Sequence, residues 1–158
     1  MPRAYIGLGA NLGDMAATLR AAVAALGALP QTRLEAVSSA WRSAPVDAGG
    51  PDYLNAVVLV ETALSPEPLL DALQAIERAH GRERPYVHAP RTLDLDLLLY
   101  GDLAMQTARL TLPHPRLHER AFVLYPLLEV AAERADLAAY LPSVADQRLE
   151  KSPEDLHP

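Results

Sequence analysis

From Thr92 to Leu97 the sequence TLDLDL alternates polar and apolar residues, and Leu98, Leu99 and Tyr100 then continue it as an apolar run. Only an extended backbone turns such a pattern into two coherent faces, because successive side chains project to opposite sides. Thr92, Asp94 and Asp96 share one face; Leu93, Leu95 and Leu97 share the other. At roughly 3.3 Å rise per residue the aspartate Cα atoms sit about 6.6 Å apart, so both carboxylates can converge on one divalent ion or flank a pair. Hard oxygen donors of this kind suit Mg²⁺, which prefers one or two carboxylates plus substrate phosphates. A wet strand face also explains an Asp-x-Asp. Asp, however, is a poor strand former, and two like charges on one side of a strand repel. A cation relieves that repulsion, which favours the metal reading.

Arg82, Arg84 and Arg91 lie immediately before this strand, in a segment punctuated by Pro85 and Pro90, and offer forked cations matched to phosphate oxygens. The chain carries thirteen Arg and a single Lys, Lys151, and contains no glycine-rich phosphate loop with its lysine. Any phosphate must therefore be held by arginine, backbone amides and metal. The formal net charge of −6 argues against a general nucleic-acid binder. Cysteine is absent, which excludes disulfides, thiolate metal sites and thiol nucleophiles. No apolar run approaches the roughly 18 residues of a membrane span, and the first residues show no signal-peptide pattern. The expectation is a cytoplasmic protein with no membrane partner, its 158 residues forming one domain.

In chain order, Arg3 to Leu8 reads as a strand, Asp14 as a helix N-cap, and Met15 to Leu29 as a helix burying Leu19, Val23 and Leu26. Asn11 sits in the turn between them. Thr32 to Trp41 reads as a strand with Leu34, Ala36, Ser38 and Ala40 on one side. Ser43 to Asp52 is a loop by its turn residues, and Tyr53 to Thr62 is a strand whose start presents an aromatic plane beside the Asn55 amide. Ser65, Pro66 and Glu67 open a second helix with Leu69, Leu70, Leu73 and Ile76 as its stripe. Glu77 falls at the edge of that stripe, where an ion pair with a nearby arginine is the expectation. After Gly101 and Asp102, Arg109 to Leu112 is extended, His114 is held between two prolines, and Phe122 to Glu133 is a last helix. Residues 133–158 show no regular pattern and read as a surface-packed tail.

The order strand, helix, strand, strand, helix, strand predicts an α+β, ferredoxin-like fold, an antiparallel sheet with helices packed on one face. The other face is left for function. Residue chemistry alone admits Mg-nucleotide transfer, a different metal-dependent nucleotidyl enzyme, or a non-catalytic ligand-binding module.

The segment PRTLDLDLLLYG, preceded by PDYLNAVV and IERAHGRER and followed by RLTLPHPRLHERAFVLYPLLEVA, resembles the 6-hydroxymethyl-7,8-dihydropterin pyrophosphokinase family of folate biosynthesis, in register from about Ala4 to Ala132. The resemblance implies transfer of the pyrophosphoryl group of ATP to the hydroxymethyl group of 6-hydroxymethyl-7,8-dihydropterin, releasing AMP. It implies two Mg²⁺ ions on Asp94 and Asp96, and catalytic roles for Arg82 and Arg91 on the transferring phosphates. Arg84, His88, Arg91, Leu97, Arg109, Thr111, His114 and Arg120 are implied on the ATP side. Ser43, Ala44, Val46, Tyr53, Asn55, Asp94 and Phe122 are implied around the pterin. Asp96 or the metal is expected to assist loss of the hydroxyl proton. A monomer is expected, with a dimer left open. The chain departs from the family's usual pattern at Val87, His88 and Ala89, where a basic residue and a tryptophan often stand, and at Pro115, which is often aromatic.

Overall fold

The structure is a computed structural model that describes residues 1–44, 51–80 and 93–158. Among these the chain forms one six-stranded antiparallel sheet. Strands β1 (Arg3–Ala10), β2 (Thr32–Val37), β3 (Trp41–Ser43), β4 (Tyr53–Thr62), β5 (Asp94–Tyr100) and β8 (Leu149–Lys151) make it up, in the order β5-β1-β4-β3-β8 with β2 also on β4. A separate two-stranded ribbon joins β6 (Met105–Gln106) to β7 (Thr111–Leu112). Helices α1 (Met15–Gly27) and α2 (Pro66–Ala79) follow β1 and β4. This is the expected split βαβ arrangement. No helix of the described residues is long and apolar enough to cross a membrane.

Two cores form, one on each sheet face. The first lies under α1 and α2 and contains Ile6, Leu8, Val58, Val60, Leu95 and Leu97 from the strands, with Leu19, Val23, Leu26, Leu69, Leu73 and Ile76 from the helices. The helical stripes are those expected from the 3.6-residue period, and each fully buried leucine stabilises the fold by about 2 kcal/mol relative to an exposed one. Asp14 caps α1, its Oδ1 accepting from Ala17 N at 3.1 Å. Ser65 holds the N-cap position of α2 with extended backbone, but makes no side-chain capping bond.

The second core is built by helix α3 (Ala121–Val130) and a following 3-10 segment, Ala132–Val144, packed on Tyr5, Val57, Leu59, Leu98 and Leu99. The helix stops at Val130, three residues short of the sequence expectation. The tail does more than pack on the surface: Leu137 and Val144 are buried in this second core, Leu156 in the first, and β8 extends the sheet beyond β3.

The expected strand Thr32 to Trp41 is broken in two, for a reason visible at Ser38. Its Oγ accepts the Val57 N–H at 2.9 Å in place of a backbone carbonyl, while Ser38 N donates to Val57 O at 2.9 Å. A side chain completes the ladder there and the backbone turns aside. A register shift between Leu34 and Ala36 corrects a second expectation. Leu34 packs on the first core and Ala36 on the second, so the two do not share a side.

Candidate active site

Among the described residues β5 is an edge strand, paired with β1 alone, and the register sets Asp94 opposite Gly9 and Asp96 opposite Gly7. Leu95 and Leu97 are buried in the first core, so both aspartates lie on the face opposite α1 and α2, as the alternation requires. Asp96 is exposed and Asp94 half-buried. A register shift at Tyr5/Ile6 then lets Leu98 and Leu99 both join the second core, and the carboxylate face passes directly into an apolar one.

On the other side of β1, Gly9 also pairs with Asn55 of β4, and Asn55 pairs with Trp41 of β3. Trp41, Asn55, Gly9 and Asp94 thus form one row across four strands. A side chain at Gly9 would find room in this row but would cover the space between its neighbours. A Cβ there would lie 3.5 Å from Asn55 Oδ1 and 3.8 Å from a Tyr53 ring carbon, so the glycine leaves a floor between the amide and the aspartate. Two strand spacings separate Asn55 from Asp94, about 10 Å.

Asn55, 3% exposed, donates through Nδ2 to Trp41 O at 3.0 Å and to Ser43 Oγ at 2.8 Å. Both amide hydrogens are thereby used, and Oδ1 is presented beside Gly9 as an acceptor. Ser43 is itself buried and Ala44 follows it directly. Phe122, partly buried at the start of α3, carries the Arg120 guanidinium over its ring at 5.5 Å. Asn11, at the end of β1, is buried with its Oδ1 lacking any hydrogen-bond partner among the described residues, an acceptor that a ligand or water would satisfy.

His114 feels the charges of both Asp96 and Arg120. Burial pushes its pKa below the ordinary histidine value; the negative charge of Asp96 pulls upward, and Arg120 and Arg116 push down again. Its N–H donates to Leu98 O at 2.9 Å, and its Nδ1 accepts the Arg116 N–H at 3.1 Å. The neutral ring therefore carries its proton on Nε2, a donor at this face. Arg109 donates to Asp71 Oδ1 at 2.6 Å and Gln74 Oε1 at 3.4 Å, tying the β6–β7 ribbon to α2, and Thr111 lies half-buried on that ribbon. Leu97 is 2% exposed with its side chain in the first core, turned away from the aspartates.

The structure therefore gathers Ser43, Tyr53, Asn55, Asp94, Asp96, His114, Arg120 and Phe122 on or beside one sheet face, turns Leu97 into the first core and ties Arg109 to α2, with Thr111 on the β6–β7 ribbon. Val46, Arg82, Arg84, His88 and Arg91 lie outside the described residues. Glu77 carries a contact beyond the expected ion pair. It is 5% exposed, and its Oε2 accepts the Leu95 N–H at 2.7 Å. α2 thus holds the backbone of the residue between the two aspartates through an edge-strand donor that β1 does not pair. A glutamate facing inward from an apolar stripe was the available signal, but its backbone partner was not legible.

Among the described residues no three His, Asp or Glu side chains form a metal-holding group. The donor set is a pair of neighbouring carboxylates, which fits an oxygen-seeking ion completed by substrate phosphates and not an all-protein cage.

Residues 5–132 match the family model for 7,8-dihydro-6-hydroxymethylpterin-pyrophosphokinase. The chain is 48% identical over 134 residues to the 2-amino-4-hydroxy-6-hydroxymethyldihydropteridine pyrophosphokinase of Haemophilus influenzae, covering 84% of each chain. It is 46% identical over 132 residues to the enzyme of the same name from Pseudomonas aeruginosa, covering 83% of this chain and 82% of that one. Among solved structures it resembles an HPPK-DHPS in complex with substrates, with a TM-score of 0.69 at 11% identity over 92% of this chain. It also resembles Plasmodium falciparum HPPK-DHPS, with a TM-score of 0.64 at 14% identity over 93%. The chain spans 44% and 45% of those two longer chains, and at such identities the likeness is one of fold.

Proposed function

The chain belongs to the 7,8-dihydro-6-hydroxymethylpterin-pyrophosphokinase family, and from this premise we propose that the two ends of the Asn55–Gly9–Asp94 row are the two halves of its active site. The enzyme transfers the pyrophosphoryl group of ATP to the hydroxymethyl group of 6-hydroxymethyl-7,8-dihydropterin, a step of folate biosynthesis. In our reading the pterin lies over the Gly9 floor. Its hydrogen-bonding edge meets Asn55, its ring meets Tyr53 and Phe122, and its one-carbon arm points toward Asp94 and Asp96. The row carries this reading, because its span of about 10 Å suits a bicyclic heterocycle with a short arm.

Asp94 and Asp96 would hold Mg²⁺, two ions as the family resemblance implies. Bound there, the metal supplies charge neutralisation for the phosphates and orients them for displacement. The remaining tasks fall to the chain. The hydroxymethyl oxygen forms a bond to the β-phosphorus, the bond from that phosphorus to the bridging oxygen of the α-phosphate breaks, and AMP leaves with the electron pair. We assign the departing hydroxyl proton to Asp96, the more exposed carboxylate of the pair. His114 offers its Nε2 proton, and Arg120 its fixed charge, to phosphate oxygens on this face. Arg82 and Arg91 keep the roles that the resemblance implies, as do Arg84 and His88. Every residue named comes from one chain, and we propose a cytoplasmic monomer.

Incubating the protein with MgATP and the pterin alcohol is expected to release AMP, one per pterin diphosphate formed, and almost none without the pterin. ADP in place of AMP would contradict diphosphoryl transfer, and turnover indifferent to pterin would contradict the assignment of the Asn55 end.

A further inference from the structure

We propose that Gln147 and Arg148, in the tail beyond the family-matched residues 5–132, are positioning residues for the pterin half of the site. The inference rests on the assignment of Asn55, Tyr53 and Phe122 to the pterin. Of five consecutive tail residues, Gln147 and Arg148 reach the segments that carry Phe122 and Tyr53, and Leu149, Glu150 and Lys151 pair with the strand that orients Asn55. Gln147 brackets Arg120 from both sides: its Oε1 accepts the Ala121 N–H at 2.8 Å and its Nε2 donates to Glu119 O at 2.8 Å. That amide satisfies an otherwise orphaned donor in the first turn of α3, where Arg120 has no side chain able to cap. Phe122 is the next residue but one. Arg148 donates to Asp52 Oδ1 at 2.7 Å, directly before Tyr53. Leu149, Glu150 and Lys151 form β8 and pair with Ser43, Arg42 and Trp41, so the strand whose Trp41 carbonyl and Ser43 hydroxyl orient Asn55 is no longer a sheet edge.

The strap is anchored at both ends independently of the site. Val144 is buried in the second core before it and Leu156, 1% exposed, in the first core after it. Ser152 N donates to Ala40 O at 2.8 Å, and Arg20 holds Asp155 O at 2.7 Å. The tail is therefore stretched across the ends of β3, β4 and α3 with little freedom. Removing the amide or the guanidinium would leave the folded chain intact while loosening the three segments that meet the pterin.

The test is steady-state kinetics on the full chain with Gln147→Ala, Arg148→Ala and the double variant, alongside Asn55→Ala. An exposed ion pair such as Arg148–Asp52 accounts for at most about fivefold in affinity, and the bracket adds a comparable factor. The double variant is expected to raise KM for the pterin alcohol about tenfold, to raise KM for MgATP by a clearly smaller factor through Arg120, and to leave the thermal midpoint little changed. Arg148→Lys, which keeps the charge beside Asp52, should restore most of the Arg148→Ala loss. An unchanged pterin KM in the double variant, while Asn55→Ala raises it, would overturn the positioning role and leave the site assignment standing. A fall in thermal midpoint with equal shifts for both substrates would also overturn it, reducing the strap to general stability. If Asn55→Ala itself left the pterin KM unchanged, the site assignment would fail first.

Discussion

Asp96→Asn, and separately Asp94→Asn, should lower kcat about a hundredfold to a thousandfold, the scale of losing one group that meets developing charge in the transition state, about 3–4 kcal/mol. The substitution keeps shape and removes one negative charge. The Leu95 N–H held by Glu77 Oε2 and the burial of Leu95 and Leu97 keep the strand in place, so the loss should come from chemistry and not from unfolding. The check is kcat against MgATP concentration together with a thermal midpoint in chelator. A variant that kept full turnover would remove the aspartates from the site.

Asn55→Ala should raise KM for the pterin about a hundredfold, while KM for MgATP changes little. Two effects add. The ligand loses the acceptor Oδ1, and the Trp41 carbonyl and Ser43 hydroxyl, which the amide joins at 3.0 and 2.8 Å, lose a buried donor at a cost of about 1–3 kcal/mol. Asn55→Asp separates them, since it keeps an acceptor but sets a charge against the Trp41 carbonyl. It should bind pterin poorly too, and an Asp variant equal to the parent would mean that the orientation of the amide is immaterial.

Much of this arrangement was legible in sequence because it rests on short periods. The alternation around Asp94 and Asp96 set their shared face, and the stripes of Leu19, Val23, Leu26 and of Leu69, Leu73, Ile76 set the helix layer. The order of elements gave the antiparallel sheet. What remained hidden depends on contacts between distant residues. Ser38 breaks a strand by bonding Val57, nineteen positions away; nothing local distinguishes it from an ordinary strand serine. The bulge that parts Leu34 from Ala36 is likewise a property of pairing with β4. The contact of Glu77 with the Leu95 N–H was hidden as well, since a helix carboxylate near arginines offers no hint of a backbone donor on another strand. Residues 133–158 lack any period, and three isolated apolar anchors, Leu137, Val144 and Leu156, do not announce that Leu149–Lys151 will complete the sheet.

The central claim is that the pterin lies across the Gly9 floor with its hydroxymethyl arm at the aspartates. Mn²⁺ can replace Mg²⁺ in a complex with a non-hydrolysable ATP analogue and the pterin alcohol, and the paramagnetic relaxation of each pterin proton then reports its distance from the metal. The hydroxymethyl protons should relax fastest of the carbon-bound protons, and Asp96→Asn should weaken the effect. Relaxation spread evenly over the ligand, or undiminished in that variant, would contradict the account.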